Sequence, residues 1–111
     1  MPDNPFYITT PIYYSNDEPH IGHSYTTILA DVLARYHRSI GKDVFFLTGL
    51  DEHGQKVQQA AESRNITSQE HCDDMAPKWK TLWKKLHIQY DDFIRTTEPR
   101  HQEVVKNILT K

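Results

Sequence analysis

Residues Tyr25 to Gly49 read YTTILADVLARYHRSIGKDVFFLTG and hold two hydrophobic periods back to back. In the first part Tyr25, Ile28, Leu29, Val32, Leu33, Tyr36 and Ile40 recur at i, i+3, i+4 and i+7, the spacing of one helix face, with Asp31 and Arg35 paired on the opposite side. The period predicts a helix from about Ile21 to about Ser39, and Gly41 lies where a helix stop is expected. DVFFLTG is then a continuous apolar run closed by glycine, the pattern of a strand buried on both faces of a parallel sheet. Upstream, Phe6 to Thr10 is a short β-branched and aromatic run ended by Pro11, which suits a strand leading into a loop. Strand, long helix and buried strand make a βαβ unit. Its crossover is right-handed by strong precedent, so both strands present their carboxyl ends on one edge of the sheet. The fold class read from this core is α/β.

The remainder reads as mostly helical. Gly54 to Arg64 suits a short helix, and TSQE from Thr67 is a capping box, with Thr67 and Glu70 satisfying free amides at the next helix start. That helix should reach Leu86, with Met75, Trp79, Leu82, Trp83 and Leu86 on one face and Lys78, Lys80, Lys84 and Lys85 largely on the other. The lysine and tryptophan alternation is thus a core stripe under a solvated basic side rather than an RNA-binding face. DDFIRTT is a further short strand candidate, and a helix begins near Pro99. Val104, Val105, Ile108 and Leu109 form an apolar stripe that should need a partner, so the sequence looks cut short. No repeat or linker divides residues 1–111, which are read as one portion of a domain.

Composition bounds the function. Among 111 residues, 37% are apolar and 25% charged, a globular balance. Thirteen basic against fifteen acidic side chains leave a net charge of −2, which offers no bulk attraction to a polyanion or an acidic membrane. One cysteine, Cys72, excludes an internal disulfide and is compatible with a reducing compartment. The opening MPDNPFYITT lacks a basic n-region and a long apolar run, and Asp3 is wrong for an arginine-rich transit peptide, so a cytoplasmic location is expected.

Pro11 to Pro19 is read as the loop after the first strand, and His20-Ile21-Gly22-His23 as the first turn of the long helix. In an open α/β sheet this crevice is where ligands bind, and helix-start amides favour an anion there. Gly22 lacks a Cβ, so a ligand can come close to the backbone. His20 and His23, at i and i+3, can both donate hydrogen bonds to one charged group, such as a phosphate whose charge grows during reaction. No third ligand at fitting spacing accompanies them, and the EHCDD run points its side chains in several directions, so metal is assigned to neither. TGLDEHG delivers Asp51 just past the second strand, where a carboxylate can hold an ammonium group or cap the following helix. Tyr13 reads equally as a packing or a site residue, and no role follows for His53.

These residues carry a family resemblance. PHIGH after a strand and loop resembles the histidine signature of the class I aminoacyl-tRNA synthetases, and YITTPIYYSNDEPHIGHSYTT with DVFFLTGLDEHGQK is similar to the methionine-specific branch. The likeness runs through FIRTT and so covers essentially the whole chain. The signature comprises Tyr14, Ser15, Asn16, Asp17, Glu18, Pro19, His20, Ile21, Gly22, His23 and Ser24. The resemblance implies the first half of a Rossmann-like parallel-sheet nucleotide-binding domain with a helical extension, and activation of methionine with ATP and Mg2+ before transfer to tRNA. It implies further that His20 and His23 are catalytic and bind ATP with Gly22, and that Ile12, Tyr14 and Asp51 bind methionine. Family members carry a second half of the fold, a lysine-rich KMSKS loop, an inserted domain often holding zinc and an anticodon-binding domain. None of these is in this chain, so zinc is expected only in the missing part, tRNA is expected to bind mainly through absent domains, and the 111 residues alone should be inactive. A nucleotidyltransferase of the wider superfamily, and a non-catalytic binding piece, remain alternatives.

Overall fold

The computed structural model describes residues 4–111, so the reading of Asp3 lies outside the described residues. The elements follow in the order β1 (Pro5–Thr9), β2 (Tyr13–Tyr14), α1 (Ile21–Ser39), β3 (Asp43–Asp51), α2 (Gln55–Ser63), α3 (Ser68–Lys85), β4 (Asp92–Arg95) and α4 (Pro99–Leu109). All three strand pairings are parallel and centre on β3. β1 pairs with β3 from Pro5↔Asp43 to Thr9↔Leu47, and β2 continues along the same edge at Tyr13↔Leu50 and Tyr14↔Asp51. β4 takes the other edge, from Leu47↔Asp92 to Leu50↔Arg95. The two-residue β2 corrects the reading of Pro11 to Pro19 as an unbroken loop. Too short to show a period, it is held by register alone, and it seats Tyr14 opposite Asp51.

The helix spans agree with the sequence reading to within a residue or so, because their ends are set by local chemistry. Thr67 and Glu70 form the capping box of α3, and Gly54 and Gly41 take φ values of 110° and 86°, where a Cβ would be strained. The core lies between the sheet and α3. Trp79 and Trp83 are fully buried with Phe46 and Leu50, and Tyr13 stacks on Trp79 at a centroid separation of 5.5 Å. Replacing either tryptophan by alanine would cost about 3–5 kcal/mol at such a site. Lys78, Lys80, Lys84 and Lys85 stay exposed, as the solvated basic side requires.

Helix α1 is turned against expectation. Tyr25, Ile28, Leu29, Val32, Leu33, Tyr36 and Ile40 are all exposed, while Thr27, Ala30, Asp31 and Ala34 are buried. The short side chains of Ala30 and Ala34 let the helix approach the sheet closely. Buried Asp31 is satisfied twice, by Arg35 Nε at 2.7 Å and by the backbone amide of Gln89 at 2.8 Å. Arg35 also reaches the His87 carbonyl, and Arg38 bonds the Gln89 carbonyl and the Asp91 carboxylate. The polar side of α1 thus pins the segment that enters β4. A second correction concerns β3, whose first half is covered on one face only. Phe6 and Ile8 point toward α1 with Val44 and Phe46, whereas the register pair Tyr7 and Phe45 remains exposed on the other face. α4 buries none of its residues, so Val104, Val105, Ile108 and Leu109 are uncovered as anticipated. Among the described residues no helix is long and apolar enough to cross a membrane.

Candidate functional site

His20 is the N-cap of α1, in extended conformation at φ −125° and ψ 177°, one residue before the helix proper. Its Nδ1 accepts from the amide of Gly22 at 3.1 Å, and its own amide donates to Nδ1 of His23 at 3.1 Å. The two imidazoles form a reciprocal capping box of the kind usually built from Thr and Glu. An imidazole that accepts at Nδ1 carries its ring proton at Nε2, so both rings keep an N–H for a ligand. The rings stack with their centroids 3.7 Å apart and their planes 30° from parallel. Burial, and then the neighbouring His20, hold the His23 pKa below the ordinary histidine value. Gly22 is dictated by this cap, since a Cβ there would lie 2.9 Å from Cε1 of His20.

The pair opens on a cavity of about 330 Å³ lined by Ile12, Tyr13, Tyr14, Asn16, Asp17, Glu18, His20 and His23. Of the residues singled out from sequence, Ile12, Tyr14, His20, His23 and the signature residues Asn16, Asp17 and Glu18 meet there, whereas Ser15, Pro19, Ile21, Gly22, Ser24 and Asp51 do not line it. Tyr13 is a packing residue, with its hydroxyl 2.9 Å from Thr27 Oγ1 and its ring on Trp79, though its edge also reaches the cavity. Asp51 is the last residue of β3 rather than just past it. One of its carboxylate oxygens accepts from the His53 amide at 3.2 Å, and its carbonyl accepts from the Ser15 amide. The second oxygen has no partner among the described contacts of the strand end.

Glu52 and the contacts of α3 went unread in the sequence. The Glu52 side chain is fully buried and receives Arg95 Nε at 3.0 and 2.9 Å and the Thr97 hydroxyl at 2.5 Å. Arg95 also donates to Asp73 at 2.7 Å, and the hydrogen bonds from Arg95 first and Gln69 second hold the Asp73 carboxyl below its usual range. This ion pair locks the ends of β3 and β4 together beneath Asp51. An acid beside a strand end with an arginine in FIRTT was the available signal, but a separation of 43 residues hid it. The EHCDD run resolves into separate tasks: His71 and Cys72 are buried, Asp73 meets Arg95, and Asp74 meets Arg64 at 2.8 Å. Burial raises the Cys72 thiol pKa and so disfavours the thiolate. His53 Nε2 stands 3.2 Å from the Thr96 carbonyl, at the rim of a second cavity near α4.

The sequence profile of the family described as tRNA synthetases class I (M) matches residues 6–111. A methionine–tRNA ligase of Thermotoga maritima is 60% identical over 106 residues, covering 96% of this chain and 17% of that protein. The corresponding ligase of Bacillus subtilis is 57% identical over 109 residues, 98% of this chain and 16% of its own length. A Mycobacterium tuberculosis methionyl-tRNA synthetase solved in complex with methionyl-adenylate superposes with a TM-score of 0.94 at 40% identity, covering 96% of this chain and 21% of that one. The chain therefore spans about one sixth of the length of the curated relatives it matches.

Proposed function

The chain belongs to the tRNA synthetases class I (M), and on that premise we propose that it is the histidine-signature part of a methionine–tRNA ligase. The observation that carries the reading is the histidine pair, whose Nδ1 atoms are spent on the helix cap and whose stacked rings both line the cavity, with Nε2–H left as the donor each can offer a ligand. In adenylate formation a methionine carboxylate oxygen attacks the α-phosphorus of ATP, and the bond from that phosphorus to the pyrophosphate oxygen breaks. Negative charge gathers on the α-phosphoryl oxygens and the leaving group. Preorganised donors stabilise that charge without reorganising, so the protein needs N–H groups there rather than a nucleophile.

His20 and His23 would take this role, and Gly22 would lie under the adenine or ribose. Asp51 would hold the α-ammonium group of methionine with its unspent oxygen, and Ile12 and Tyr14 would line the amino-acid side. The Asp51 carboxylate at the end of β3 and the imidazole donors at the start of α1 would then orient amine and phosphate toward each other. Among the described residues no three His, Cys, Asp or Glu side chains converge as metal ligands. Mg2+ fits this chain only as a companion of the ATP phosphates, where it would neutralise charge. Transfer to tRNA, and any zinc, would involve the longer polypeptide, and the reading as the amino-terminal portion of a cytoplasmic enzyme's catalytic domain goes with this. Methionine-dependent ATP–pyrophosphate exchange by the full-length protein tests the proposal. His23→Ala should slow exchange by about a hundredfold or more. No methionine-dependent exchange in the parent, or a His23→Ala rate within a few-fold of it, would overturn the assignment.

A further inference from the structure

Helix α3 grips the segment that leads into the histidine pair at four consecutive residues. The Cys72 thiol stands 3.3 Å from the Ser15 hydroxyl, Trp79 Nε1 donates to the Asp17 carbonyl at 3.2 Å, and Lys78 meets the Glu18 carboxylate at 2.8 Å. The remaining contact is a buried imidazole. His71 Nε2 lies 3.1 Å from the Ser15 carbonyl and 3.2 Å from the Asn16 carbonyl, 56 and 55 residues away in sequence.

The tautomer of His71 is fixed by its other side. Arg64 places an N–H 2.8 Å from Nδ1, and a guanidinium can only donate, so Nδ1 accepts and the ring proton sits on Nε2, facing the two carbonyls. Arg64 is in turn anchored by Asp74. Arg64 donates both to the Asp74 carboxylate and to His71 Nδ1, and His71 donates onward to the Ser15 and Asn16 carbonyls. Buried carbonyls left unpaired are costly, so the segment has a single well-satisfied position. Asn16, Asp17 and Glu18 line the cavity, and two residues after Glu18 comes His20.

We propose that His71 is a positioning residue: its Nε2–H, oriented by Arg64, holds the Ser15 and Asn16 carbonyls and thereby sets where His20 and His23 present their donors. The catalytic consequence rests on the function proposed above. Asp51 and Tyr14 are held by the pairing of β3 with β2, to which Ser15 adds an amide bond on the Asp51 carbonyl, whereas His20 and His23 depend on the gripped segment itself, so loss of the His71 contact should affect the phosphate side of the site more than the methionine side.

The test uses the full-length protein with His71→Leu, His71→Gln and Arg64→Met. His71→Leu should lower kcat for methionine-dependent exchange by about tenfold or more, because small displacements of catalytic groups are expensive, while the methionine Kd stays within about twofold. Amide hydrogen exchange at residues 15–20 should rise by about tenfold in the same variant. His71→Gln, whose side-chain amide can donate from near the Nε2 position, should bring both back to within about threefold of the parent. Arg64→Met, which frees Nδ1 to take the proton, should raise exchange at residues 15–20 even if His71→Leu does not fold. Unchanged exchange at residues 15–20 in the folded variants overturns the proposal. So does a joint fall of kcat, methionine affinity and thermal stability that Gln fails to rescue, since that is the mark of a merely structural residue. If the parent has no methionine-dependent exchange, the proposed function fails, and the amide exchange alone decides whether His71 sets the loop.

Discussion

At the scale of single residues, His20 and His23 each serve twice, and substitutions can separate the two duties. Asparagine at position 20 can accept from the Gly22 amide as the imidazole does, but it lacks the outward Nε2–H. His20→Asn should therefore keep stability within about 0.5 kcal/mol, whereas His20→Ala should lose about 1 kcal/mol as an N-cap does. Denaturant melts would show this, and both variants should be slow in ATP–pyrophosphate exchange. Equal melts for the two would mean that the cap contributes nothing. The cap also has a pH signature. A proton on Nδ1 of His23 would remove the lone pair that accepts the His20 amide. The folded pKa of His23 lies below its unfolded value, so its contribution is fully present above the unfolded value of about 6.5 and is lost as pH falls through it toward the folded one. Exchange of the His20 amide, corrected for intrinsic rates, should accelerate from pH 7.5 to 5, and constant protection over that range would refute the linkage. Asp51 belongs to the amino-acid side. In the full-length protein Asp51→Asn should weaken methionine binding by about 2 to 5 kcal/mol, as truncating one partner of a desolvated charge pair does. Titration calorimetry should show ATP binding nearly unchanged, and equal losses for both ligands would reduce Asp51 to a support for the turn at His53.

At the scale of elements, α1 carries the largest departure from the sequence. Its outward residues, Ile28, Leu29, Val32 and Leu33, present an apolar surface to solvent, while Ala34 is fully buried against the sheet. The double substitution Leu29→Lys with Val32→Glu should leave the stability of the isolated chain within about 0.5 kcal/mol, since neither side chain is buried, and should reduce its self-association in sedimentation velocity. Ala34→Leu, by contrast, should cost about 1–3 kcal/mol through overpacking. The reverse pattern, with the double variant unfolding and Ala34→Leu tolerated, would show that the helix packs by its large residues after all. Element spans were legible because their signals are local: the Thr67 capping box, Gly41 and Gly54, and the 3.6-residue period of α1. The buried face was not, because a period marks a stripe without saying what it faces. Asp31 is buried for the sake of the Gln89 amide, 58 residues on, and nothing near Asp31 announces it. The candidate site divides in the same way. His20, His23 and Tyr14 could be read from contiguous residues, whereas Glu52 and His71 act across 43 or more residues and emerge only when strand ends and helices meet.

At the scale of the whole molecule, uncovered surface and one-sided chemistry point the same way. The outer face of α1, the Tyr7 and Phe45 pair on the sheet and the Val105 to Leu109 stripe of α4 are all exposed together. Patches of this extent are unusual on a monomer, and an unpaired β1 edge invites association. The chemistry is one-sided as well, because the donors of His20 and His23 can meet one flank of an ATP triphosphate, and the lining of that cavity includes Asp17 and Glu18 but no lysine or arginine. Charge spread over the equatorial oxygens and the leaving pyrophosphate needs donors or cations on more than one side, so two imidazoles can supply only part of the stabilisation. Isolated residues 1–111 should accordingly be weakly stable, associate at micromolar concentrations and form no detectable methionyl-adenylate. Adding the remaining polypeptide of a full-length ligase in trans should restore some exchange, because covering the α1 and sheet surfaces and closing the second flank are achieved by one docking event. Full-rate exchange by residues 1–111 alone, with contaminating host enzyme excluded by a His23→Ala control, would show that the cavity between β2 and the start of α1 is already sufficient for the reaction.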